Sequence, residues 1–162
     1  MSDLDIERNL YAGVDPGQSG GFAILTEDGE LVDASPMMDT EKDVSDYLKE
    51  FAPRIKMAAI ESVHSFPGQG VSSSFKFGMS YGALRMALTS HEIPFEYVTP
   101  GTWQKPFGLI ESGRKATDSN REKKRRNKER AQGLFPSVKC THAITDSLLI
   151  AEFARRKAMG LL

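Results

Sequence analysis

Four side chains spread along the chain, Asp15, Glu61, His142 and Asp146, are of the types that hold divalent metal ions. Asp15 follows an apolar run, Leu10-Tyr11-Ala12-Gly13-Val14, and precedes Pro16-Gly17-Gln18-Ser19-Gly20-Gly21, which puts its carboxylate at the end of a first strand. Glu61 repeats the arrangement after Met57-Ala58-Ala59-Ile60. A carboxylate at a buried strand end costs roughly several kcal/mol unless a positive charge meets it, and a divalent cation is such a partner. His142 and Asp146 are four residues apart, on one face of a late helix that would close the site from one side. Three carboxylates and an imidazole suit two Mg²⁺ ions roughly 3.5 to 4 Å apart, which activate water and stabilise the leaving oxygen in phosphodiester hydrolysis. His142 ligates only when neutral, so activity is expected to fall at acid pH, and its nitrogen makes Mn²⁺ a competitive substitute. Taken singly, Asp15 reads as an Asx-turn residue, Glu61 as polarity at a sheet rim and His142 as a first-turn helix residue; the set is more specific than any member.

The elements that must position these groups are legible in outline. Residues 10–15, 21–27 and 31–35 read as three antiparallel strands, with Glu27-Asp28-Gly29-Glu30 suited to a hairpin. Residues 40–51 read as a helix with Thr40 as N-cap and Val44, Tyr47, Leu48 and Phe51 on one face, ended by Pro53. Residues 57–61 form a short buried strand, parallel to the first because a helical crossover reaches it. Residues 64–74, rich in Gly, Ser and Pro, read as an exposed loop. Helical periodicity resumes over 77–90, a fifth strand covers 94–98 and a short helix 102–107. Cap residues at 117–119 open a long basic helix running to about Phe135, and a last helix starts near Thr141. The order βββαβαβα, ending in a helix, predicts an α/β fold: a five-stranded mixed sheet with helices on both faces, strands one and four central neighbours, and Asp15 and Glu61 on the carboxyl-terminal rim where ligands bind in such sheets.

The 162 residues suit one domain, with residues 1–8 as an N-terminal extension; 40% are apolar and 27% charged, as in ordinary globular proteins. The acidic start lacks a basic region followed by an apolar one, no apolar run approaches a membrane span, and one cysteine, Cys140, rules out an intramolecular disulfide; a reducing, cytoplasmic setting is expected. The net charge of −1 hides an asymmetry. Between Arg114 and Arg130 nine basic residues stand against three acids, a local +6 that leaves −7 elsewhere. A basic stripe on an acidic protein holds a polyanion at one face.

Gly13-Val14-Asp15-Pro16-Gly17 with Gly20-Gly21, Ile60-Glu61 before a loop containing Phe66, Val98-Thr99-Pro100 with Trp103-Gln104-Lys105, a Lys/Arg-rich helix ending Ala131-Gln132-Gly133-Leu134-Phe135-Pro136, and Thr145-Asp146-Ser147 follow one another in an order that resembles RuvC-type Holliday junction resolvases, most of all their phage and prophage branch. The resemblance covers about residues 10–155 and implies an RNase H-like fold, a homodimer, Mg²⁺ dependence and symmetric nicking of four-way DNA junctions. By position it carries the metal-binding role to Asp15, Glu61 and Asp146. The relatives' other late ligand falls at Ala143, one residue from His142. Lys105 corresponds loosely to a lysine near the active site, and Lys128 to the lysine of the basic helix that reaches the scissile phosphate, where a fixed cation stabilises developing charge. Lys76, Lys105, Arg114, Lys115, Lys123, Lys124 and Lys128 are the expected DNA contacts. Phe66, with Phe75 as second choice, is the aromatic expected to stack on or wedge between bases at the junction centre. A second copy is expected to pack on residues 78–84, which offer small residues and methionines; the same stretch also suits packing on the sheet.

Three other readings share parts of the pattern. One is a broader nuclease of the same fold that cuts branched DNA, flaps or RNA–DNA hybrids. A second is an actin-like ATP-binding module, suggested by Asp15-Pro-Gly-Gln-Ser-Gly-Gly but normally needing a second related domain. The third is a non-catalytic DNA-binding protein, disfavoured because acidic side chains repel phosphates unless metal is present.

Overall fold

The computed structural model describes residues 8–64, 67–110 and 119–162. Five strands, β1 (Leu10–Asp15), β2 (Gly21–Thr26), β3 (Leu31–Pro36), β4 (Ile55–Glu61) and β5 (Phe95–Val98), form one sheet in the order β3-β2-β1-β4-β5. The first three are antiparallel neighbours, whereas β4 runs parallel to β1 and β5 parallel to β4. Helices α1 (Glu41–Phe51) and α2 (Val71–Ser90) supply the crossovers, and α3 (Pro100–Gln104), α4 (Asn120–Leu134) and α5 (His142–Ala158) follow β5. The five-stranded mixed sheet between helical layers is the one the sequence pattern predicts, and its topology is RNase H-like, as the resemblance implies.

Strand alternation sorts the core into two layers. Leu10, Ala12, Val14, Ala58 and Ile60 join Val44, Leu48, Leu84 and Leu88 on the α1–α2 face. Ala23, Leu25 and Ala59 join Trp103, Phe107, Ala131 and the apolar length of α5 on the other. Because Val14 pairs with Ile60, the next residues, Asp15 and Glu61, leave adjacent strands side by side and face the α5 layer. Helix α5 lies hard against β1 at Gly13: a Cβ there would stand 2.2 Å from Ser147 O and 2.2 Å from Ala151 N, so no side chain fits and the helix backbone reaches the strand. That close approach brings the second turn of α5, and with it Asp146, to the strand ends.

The ends of the elements follow local chemistry. Thr40 caps α1 by accepting from Asp43 N, and Ser119 with Glu122 forms a capping box at the start of α4. The expected loop over 64–74 is shorter than its composition suggests, since α2 begins at Val71. Its first turns, Val71-Ser72-Ser73-Ser74-Phe75-Lys76, carry no apolar periodicity because they lie on the surface, and periodicity reports only faces that are buried. Phe75 therefore stands on a helix, 68% exposed.

Candidate active site

Asp15 and Glu61 stand at the carboxyl-terminal ends of the adjacent parallel strands β1 and β4, and Asp146 on α5 is near enough for its charge to be felt at both. Asp15 is held from below by its own loop: Gly20 N donates to Gly17 O, and a Cβ on Gly20 would lie 2.1 Å from Asp15 O and 2.9 Å from Asp15 Cγ, so glycine alone lets the turn close over the aspartate. Burial, then the charges of Asp146 and Glu61, push the Asp15 carboxyl up to about 8, with Lys124 pulling the other way. Burial also raises Glu61, against a hydrogen bond from Trp103 and with Asp146 adding to the rise. Asp146 is raised by burial and moderated by Asn127, Lys124 and His142. The three acids thus sense one another through a partly desolvated volume, which is the expense noted for carboxylates at strand ends.

The outer two are each held by a neutral donor. Trp103 Nε1 donates to Glu61 Oε2 at 2.7 Å, and Asn127 Nδ2 donates to Asp146 Oδ1 at 2.9 Å. Trp103 is wholly buried beneath the rim on α3; Asn127 is the buried polar residue of α4. In kind, this donor set suits a hard cation, since carboxylate oxygens offset their mutual repulsion by sharing one. In spacing, among the described residues no three His, Cys, Asp or Glu side chains converge closely enough to hold one ion.

The remaining expected groups divide. His142, exposed at the start of α5, reaches Asp146 by charge and lines an open groove of about 810 Å³ with Arg121, Lys124, Arg125 and Lys128. Within α4, Lys124 is the lysine whose charge is felt at both Asp15 and Asp146, whereas that of Lys128 is felt at the Cys140 thiol, which burial raises. Lys123 and Lys105 are exposed, the latter on the turn after α3, and Lys76 is exposed on α2. Phe66, Arg114 and Lys115 lie outside the described residues. A separate cavity of about 410 Å³, between the Asp15 loop, α1 and α2, is lined by Met37, Met38, Val44 and Leu84 with Asp39 and Glu41, and among the described residues no basic side chain lines it.

Sequence reasoning missed Trp103, Asn127 and the placing of Lys124. One signal was available. In the run Arg121–Arg130, Asn127 is the single uncharged residue, and it shares a helical stripe with Ala131 and Lys124, so the face turned to the protein was marked by its lack of charge.

Comparison with known proteins agrees with the architecture. A Thermus thermophilus RuvC in complex with a Holliday junction substrate superposes with a TM-score of 0.68 at 17% identity, over 94% of this chain and 97% of that one. A second Thermus thermophilus RuvC structure gives 0.65 at 19% identity with the same coverage. No family model matches the sequence. No curated protein matches it either. At these identities the likeness is one of fold.

Proposed function

We propose that this chain is a divalent-cation-dependent endonuclease that resolves four-way DNA junctions by paired symmetric cuts as a homodimer. The observation that carries the reading is the trio Asp15, Glu61 and Asp146: mutually repelling, partly desolvated and set beside the basic helix α4. Acids held at such expense next to a surface that attracts phosphates make sense when a cation joins the two. Those three carboxylates, drawn closer together than they stand in the metal-free chain, would hold Mg²⁺ or Mn²⁺, with His142 at their edge, and the ions would supply Lewis acidity and an activated water.

The chain's own residues do the rest. The groove of Arg121, Arg125, Lys128 and His142 receives the sugar–phosphate backbone, and Lys124, the cation nearest both Asp15 and Asp146 in its effect, meets the scissile phosphate and stabilises the charge that builds there. The fully buried Trp103 and the packed rim keep bulk water from the protein side of the centre. One chain carries one such trio, and two opposed cuts need two. Support for a second copy comes from α2, where Val71, Phe75, Met79 and Met86 are 88%, 68%, 57% and 60% exposed along one uncharged stripe, an apolar surface of the kind that marks interfaces.

The test is incubation of the protein with a synthetic four-way junction, a linear duplex and an RNA–DNA hybrid, each with Mg²⁺ or chelator. Paired nicks on the junction alone, lost in chelator and in Asp146→Asn, are expected. Cutting of all three substrates would replace junction resolution with the broader nuclease reading, and absence of cutting with ATP hydrolysis would end both.

A further inference from the structure

We propose that Trp103 and Asn127 are the positioning residues of the carboxylate centre: two buried neutral donors that each hold one oxygen of an outer carboxylate and so aim the other toward the cation. The inference rests on the nuclease reading above.

The geometry is asymmetric in a telling way. Asp15 is fixed by its own loop, which folds back on it at Gly20, whereas Glu61 and Asp146 are fixed by side chains brought from elsewhere, Trp103 from 42 residues away and Asn127 from 19. Each donor takes a single oxygen, Oε2 of Glu61 and Oδ1 of Asp146, and a carboxylate has two with several lone-pair sites, so the second stays free to ligate. Both donors are neutral. A lysine or arginine in either place would neutralise its carboxylate and compete with a divalent ion, while an indole or amide N–H orients the group and leaves its charge available. Both are also embedded, Trp103 at 0% and Asn127 at 7% exposure, so their own orientations are set by packing. Asn127 is a buried polar residue that an apolar one would replace without needing a partner, and Trp103, a core member, turns its one polar atom to Glu61.

Asn127 has a second consequence. It lies on α4 between Arg126 and Lys128, so the hydrogen bond to Asp146 ties the helix expected to grip DNA to the group expected to grip metal. Cation binding and junction binding are then energetically linked, and each strengthens the other by the same factor.

Trp103 is the chain's one tryptophan, so biosynthetic replacement of tryptophan by 3-benzothienylalanine, with sulfur in place of the indole N–H, removes the donor and alters nothing else in the sequence. Mn²⁺ alone is titrated by calorimetry into the parent, the analogue and Asn127→Leu, with and without a junction made uncleavable at its scissile phosphates, after melting curves in chelator confirm folding. Either change is expected to weaken Mn²⁺ binding roughly 10- to 100-fold. Asn127→Leu is in addition expected to lose the gain in Mn²⁺ affinity that the junction confers on the parent, and Asn127→Gln, which keeps a donor amide, to recover part of it. If Asn127→Leu does not fold, the shape-preserving analogue decides. Mn²⁺ affinity equal to or above that of the parent in the analogue overturns the proposal. A parent that binds no Mn²⁺ removes the nuclease reading and the proposal together, whereas a parent that binds with unaffected variants removes the positioning role alone.

Discussion

Replacing Asp15 with asparagine is expected to make the metal-free protein more stable, the reverse of the usual outcome of changing a buried polar residue. In the unfolded chain the Asp15 carboxyl ionises near its ordinary 3.8, but in the folded chain burial and the charges of Asp146 and Glu61 hold it to about 8. Well below pH 3.8 it is protonated in both states and has no effect. As pH rises toward 8 the unfolded state gives up the proton and the folded state keeps it, so folding loses about 1.4 kcal/mol per pH unit and then levels off. The full interval corresponds to a ceiling of roughly 6 kcal/mol. Partial exposure of Asp15 and the shared titration with its two neighbours reduce that to about 2 to 4 kcal/mol, or roughly 5 to 15 °C in melting temperature for a chain of this size. Asparagine has nearly the same shape and no charge. Parent and Asp15→Asn are melted in chelator at pH 5 and pH 8.5: a small gap in favour of the variant is expected at pH 5 and a wide one at pH 8.5. Addition of Mg²⁺ should raise the melting temperature of the parent and narrow the gap, because the ion binds the folded carboxylates. A variant no more stable than the parent at pH 8.5, or a gap that does not grow with pH, would refute the reasoning.

Other outcomes follow from separate contacts. Gly13→Ala drives a Cβ into the backbone of α5 and should cost about 3 kcal/mol or more, read as a lower urea midpoint, with cleavage reduced because Asp146 is displaced. Glu152→Gln breaks the buried pairs with Arg155 and Arg156 and should lower stability by roughly 2 to 3 kcal/mol at neutral pH. Burial pushes the Glu152 carboxyl up, but the hydrogen bonds from both arginines outweigh it and hold the group below its ordinary 4.5, so this contribution is full above that value and drains away as pH falls through the lower folded one. The melting gap between parent and Glu152→Gln should accordingly shrink in acid. Lys124→Met should slow single-turnover junction cleavage in Mg²⁺ roughly 100-fold and Lys128→Met much less; the opposite ranking would move the scissile phosphate to the Lys128 end of the groove.

β1 and β2 were readable from the sequence as short apolar runs and β3 from the Glu27-Asp28-Gly29-Glu30 hairpin before it, and all three begin where the pattern predicts. Thr40 and Ser119 announced their helices through capping chemistry that acts within three residues. The start of α2 was hidden, because its first turns bury no face and leave no period to detect, and its Gly70 cap contributes no side-chain hydrogen bond. In α4 basic residues cover most of the helix surface, so composition marked an affinity for polyanions, while the uncharged stripe of Asn127 and Ala131 marks the buried face, with Lys124 exposed at its edge.

From the sequence alone came a pair of strand-end carboxylates, a late helix with a third, and a basic segment, since each depends on neighbours a few residues away. Only the folded chain could decide that strand alternation and the Val14–Ile60 register turn Asp15 and Glu61 to the same face, that Gly13 admits α5 closely enough to deliver Asp146 to them, and that Trp103 and Asn127 hold the outer two. These are contacts between segments far apart in sequence, and their energies arise from burial and mutual charge that exist only once the layers have closed.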